Sequence, residues 1–94
     1  MADNRFEVNE FLQNIADQPA AEQLAGIAKQ QDTLIADIID IRRQIKAAYE
    51  QGNTENPRTA DWLNRVHGAL RVKRFQLERL AEVASKLRVN GEAQ

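Results

Sequence analysis

Residues 24–48 read LAGIAKQQDTLIADIIDIRRQIKAA. Within them Leu24, Ile27, Gln31, Leu34, Ile38, Ile41, Ile45 and Ala48 follow one another at alternating steps of three and four, and Ala20 extends the series toward the N-terminus. An α-helix that repeats its apolar positions at this period presents one continuous edge, the seam of a coiled coil. Gln31 is the one polar member. The spacing predicts a helix from about 19 to 51. Pro19 suits a first helical turn, because its missing N–H is not needed there. Gln51-Gly52-Asn53 ends it, since glycine or asparagine can take the left-handed position after a helix. Gly26 and Thr33 lie off the seam and cost a little helicity.

A second seam follows. Residues 63–87 read LNRVHGALRVKRFQLERLAEVASKL, with Leu63, Val66, Leu70, Lys73, Leu77, Leu80, Ala84 and Leu87 in the same alternation. This predicts a helix from about 57 to 89, started by Asn56-Pro57 or by Thr59 and ended before Asn90-Gly91, with a flexible tail at 90–94. The turn-rich Gly52–Pro57 connection suits an antiparallel helix pair. Folding back there pairs residues whose numbers sum to about 111, so Ile45 meets Val66, Ile38 meets Lys73 and Leu34 meets Leu77. Two independent apolar phases and one turn position therefore agree.

Upstream, Val8, Phe11, Leu12 and Ile15 fall on one helical face, predicting a short helix at about 4–17 capped by Asp3 or Asn4. The expected fold is all-α: one domain over residues 1–94, a short N-terminal helix followed by a long antiparallel coiled-coil-like hairpin. A bare hairpin buries only a narrow stripe. Apolar residues continue around it, with Ala28, Ile35 and Tyr49 on one flank of the second helix, Trp62, Ala69 and Val83 on a flank of the third, and Ile39, Val72 and Phe75 further round. The first helix can cover part of this surface with Phe6, Phe11 and Ile15, on its own hairpin or on a neighbour's. The remainder predicts a homodimer or higher oligomer forming a helical bundle, with Phe11, Ile35, Ile39, Tyr49, Trp62, Val72, Phe75 and Val83 as its interface.

The chain has no cysteine and one histidine, which excludes disulfides, zinc knuckles, cysteine nucleophiles and a multi-histidine metal site within one chain. Neither a Ser-His-Asp set nor a Glu-x-x-His pattern occurs, so the expectation is a protein that is not an enzyme and carries no cofactor. No run of apolar residues is long enough to span a membrane, and Met1–Arg5 lacks the pattern of a signal peptide. A soluble, cytoplasmic protein is expected, in a host cytoplasm if phage-encoded.

The net charge is −1, but the halves differ: residues 1–50 carry nine acids and five bases, residues 51–94 eight bases and five acids. No acid lies between Asp61 and Glu78, where Arg65, His67, Arg71, Lys73 and Arg74 fall. With Arg42, across the hairpin from His67, these are the candidate ligand- or partner-binding residues, because arginine forks match phosphate and carboxylate. Lys73 admits two readings: an ammonium that snorkels from the seam to water or Asp37, or one that holds an anion between protomers. The expected partners are a second copy, and a host protein or a small anionic ligand such as a nucleotide. Nucleic acid on the basic third helix is the alternative, as is a structural adaptor or assembly chaperone; no membrane partner is expected.

The stretch from Asn56 to Phe75 resembles the second arm of short helical-hairpin proteins of phage and prophage genomes. Among them are anti-defence sponges that trap cyclic oligonucleotides, built from a short helix and a hairpin and assembled as oligomers. The resemblance implies an oligomeric accessory protein that sequesters or blocks a host defence factor. The sponges' Tyr-His-Pro-Pro and Ser-Arg-Glu motifs are absent, and only Pro57-Arg58 matches part of the latter, so no ligand-binding residue is transferred.

Overall fold

The computed structural model describes residues 6–52 and 55–92. It contains three helices, α1 Val8–Ile15, α2 Ala20–Glu50 and α3 Pro57–Glu92, and no strand among the described residues. Helices α2 and α3 pack side by side as the hairpin, giving a rod 57 Å long and 15 Å across its thinnest dimension.

The turn chemistry explains the ends at the hairpin's tip. Gly52 has φ of 72°, a left-handed conformation, and its N–H donates to the Tyr49 carbonyl at 3.1 Å. That bond satisfies a carbonyl the helix leaves unpaired. Asn56 caps α3: its Oδ1 accepts from the Arg58 N–H and its carbonyl from the Ala60 N–H, both at 2.9 Å. Pro57 occupies the first helical position, where no N–H is required.

Both seams lie inward. Ile27, Leu34, Ile38, Leu63, Leu70, Leu80 and Ala84 are buried, and Leu24, Ile41, Ile45, Val66, Leu77 and Leu87 are half-buried between the helices. Each large side chain among them that leaves water contributes about 1.5–3 kcal/mol. Ala20, at the start of the α2 seam, is exposed.

Helix α1 packs on its own hairpin, at the end away from the tip. Val8 and Ile15 join Ile27, Leu34, Leu80 and Ala84 in one buried cluster, with Phe6, Phe11, Leu12 and Val83 packed against it. The Phe6 and Phe11 rings tilt together at 5.6 Å between centroids. The corner into α2 is tied by Gln23, whose Nε2 donates to the Gln18 carbonyl at 2.7 Å.

Two element ends differ from the sequence expectation. Helix α1 begins at Val8, not near residue 4: Glu7 is extended and accepts the Asn9 N–H on its side chain at 2.9 Å. The expected caps Asp3 and Asn4 lie outside the described residues. Helix α3 runs through Asn90 and Gly91 to Glu92, where a break and a flexible tail were expected. Asparagine and glycine penalise a helix by only about 1 kcal/mol or less each, and neither is forced to stop one as proline is.

Candidate functional site

The rod divides into two unlike halves. The half away from the tip is a three-helix layer. The tip half, roughly residues 35–75, is two helices only, because α1 ends short of it. The exposed large hydrophobics concentrate in that bare half or at its border: Ile35, Ile39 and Tyr49 on α2, Val72 and Phe75 on α3; Val89, at the far end of α3, is the exception.

Charge follows the same division. Residues 35–75 hold eight bases and five acids, whereas residues 6–34 and 76–92 hold eight acids and four bases. The molecule is therefore a dipolar rod, basic at the tip half and acidic where α1 packs.

Most of the tip's arginines are free of local acids. Lys46 pairs with Glu50 at 3.9 Å, and Lys73 with Asp37 at 3.1 Å. Among the described residues, Arg42, Arg43, Arg65, Arg71 and Arg74 have no acid within ion-pair distance, and all are exposed. On α3, Phe75 is 64% exposed and stands opposite the buried seam. Arg71 and Arg79, four residues to either side, share its helical face, with Val72 one turn away. This is a ridge of aromatic, aliphatic and guanidinium groups, the composition enriched at the centre of protein interfaces.

The sequence-derived candidates sort as follows. Arg65, Arg71 and Arg74 lie exposed on α3, and Arg42 and His67 are exposed on their respective helices. Lys73 is half-buried, and its Nζ donates to Asp37 Oδ2 across the hairpin. Of the eight expected interface residues, Phe11 and Val83 are packed against the core within the chain. Trp62 is half-buried in a shallow depression at the tip, lined also by Ala48, Gln51, Arg58 and Thr59. Ile35, Ile39, Tyr49, Val72 and Phe75 stay exposed.

Comparison with known protein families, with curated proteins and with solved structures gives no match. What the chain does rests on its own surface.

Among the described residues no group of three or more histidines and carboxylates comes together as metal ligands, and no helix is long and apolar enough to cross a membrane. One residue that sequence reasoning missed is Gln76. Its Nε2 donates to the Phe6 carbonyl and fixes the segment leading into α1.

Proposed function

We propose that the chain is a non-enzymatic binding protein that self-associates and takes a negatively charged partner on the tip half of α3. The observation that carries this reading is Phe75, an exposed aromatic on a stretch with no acid between Asp61 and Glu78, beside Arg71 and Arg74, which have no ion-pair partner among the described residues. Leaving that ring and those guanidinium groups in water has a use where a partner desolvates them: arginine forks take carboxylate or phosphate bidentately, and the ring packs or stacks. Sequestration of a host factor, as the phage-protein resemblance implies, is work of this kind and needs no catalytic group.

The test is native mass spectrometry of the full chain purified from a host lysate, alongside thermal melts with acidic peptides, nucleotides and single-stranded oligonucleotides. A retained or added anionic partner should raise the melting temperature. Arg71→Glu and Phe75→Ala should each abolish the rise while the free chain keeps its helix content. No retained partner and no shift with any of the three probes would overturn the reading. If only oligonucleotides act, with an affinity falling steeply as salt rises, the partner is nucleic acid.

A further inference from the structure

Helix α2 carries a second stripe with the same alternation as its seam, rotated about 100° around the helix. From the N-terminal side it runs Ala21, Ala25, Ala28, Asp32. It continues through Ile35 and Ile39 to Arg42, Lys46 and Tyr49, always at steps of four and three, and every member is exposed. Ile35 and Ile39, one turn apart on this face at the middle of the helix, are 44% and 45% exposed and form a contiguous apolar pair. Among the described residues nothing covers the stripe. Helix α3 occupies the first seam, and α1 lies against the other flank, where the Phe11 ring reaches to 3.6 Å from a Cβ built on Gly26.

We infer that this stripe pairs with the same stripe of a second copy, antiparallel about a two-fold axis level with residue 37. The inference rests on the self-association in the reading above and names its surface. The stripe is complementary to itself in one register, in which paired numbers sum to 74. Ile35 then meets Ile39 of the second copy, twice. Arg42 meets Asp32, also twice, and among the described residues neither has an ion-pair partner within its own chain. Tyr49 and Lys46 lie over Ala25 and Ala28, so large side chains fall on small ones. The parallel alternative sets Arg42 on Arg42 and Asp32 on Asp32, which like-charge repulsion disfavours. The antiparallel register also lays the basic half of one rod beside the acidic half of the other. The Phe75 ridge, on another helix, is left open for a partner.

The experiment is sedimentation of the full chain over a concentration series, with charge reversals. The wild type should approach twice the 10.7 kDa of one chain. Asp32→Arg and Arg42→Asp should each weaken the dimer about tenfold or more, since two pairs per dimer become repulsive, and the double variant should return to within about threefold of wild type. All three should keep the monomer's helix content, because both sites are exposed. The cysteine-free chain allows a second readout: Ala28→Cys mixed with Lys46→Cys should cross-link between chains, and Ala28→Cys alone should not. A dimer indifferent to the reversals, or one in which Ala28→Cys links to itself, overturns this register and leaves self-association standing. A monomer at every concentration overturns both, and leaves partner binding by α3 to its own test.

Discussion

Lys73 Nζ and Asp37 Oδ2 meet at 3.1 Å across the hairpin, at the one position where the α3 seam is polar. Lys73 is half-buried at its seam position, and its ammonium reaches across to the carboxylate on α2. Of the two readings the sequence allows for Lys73, the contact answers to the snorkelling one. The side chains are 28% and 48% exposed, so water screens the pair and its contribution is about 0–1 kcal/mol.

It follows that Asp37→Ala should cost at most about 1 kcal/mol. Lys73→Leu should be neutral or stabilise by about 1 kcal/mol, because it adds apolar contact and leaves behind only a half-exposed carboxylate that water still reaches. Urea unfolding with an unchanged m-value reads both. A Lys73→Leu variant destabilised by several kcal/mol would mean that the ion pair, and not the apolar seam, holds this layer.

The hairpin was legible because its information is periodic. Two seams in phase, a glycine and an Asn-Pro pair each act within a few residues of where they stand, and Gly52 and Asn56 do in the fold what their chemistry allows. The seat of α1 was not legible in the same way. It depends on Gln76 reaching the Phe6 carbonyl, 70 residues earlier in the chain, and a single long-range polar contact leaves no period to read. The extent of α3 was misread because Asn90-Gly91 resembles a stop signal while only mildly opposing a helix. The second α2 stripe is masked by Asp32, Arg42 and Lys46, which break its apolar pattern; only a fold that shows which faces stay bare brings it out.

Two glycines should respond oppositely to alanine. Gly52 holds φ of 72°, which an L side chain adopts with strain, so Gly52→Ala should cost about 1 kcal/mol. Gly68 lies inside α3 with nothing within 4 Å of a built Cβ, and there alanine restricts the unfolded chain and fits the helix. Gly68→Ala should therefore stabilise by about 0.5–1 kcal/mol. Thermal or urea midpoints decide, and a loss at position 68 would show that something covers that face of α3 in solution.

Glu82 should titrate low for a glutamate. Lys86 Nζ donates to its Oε1 at 3.3 Å, and Arg79 Nη1 lies 3.4 Å from the same oxygen. The Lys86 hydrogen bond, then the Lys86 charge, then the Arg79 charge hold the carboxyl below the usual glutamate range. A depressed carboxyl favours the folded state above its unfolded titration point, and that contribution disappears as pH falls through the lower folded value. Carboxyl NMR shifts followed against pH should place Glu82 below the usual glutamate range, and Lys86→Met should move it upward. Because the carboxylate is exposed, this is a titration signature rather than a source of stability.

Helix α1 should open independently of the hairpin. It has eight residues, too few to be helical alone, so its order depends on burying Val8 and Ile15 and on the Gln76 bond to the Phe6 carbonyl. Gln76→Leu removes that bond and should weaken docking by about 1 kcal/mol. Amide hydrogen exchange should then speed up about fivefold for residues 12–15, whose N–H groups are bonded only within α1. The amides of Leu34 and Leu80 should keep their wild-type protection, because the α2 and α3 ladders stay closed when α1 lifts. If exchange at Leu34 and Leu80 accelerates with α1, the chain opens as one unit, and α1 is a structural part of the rod rather than a cover laid over one end of it.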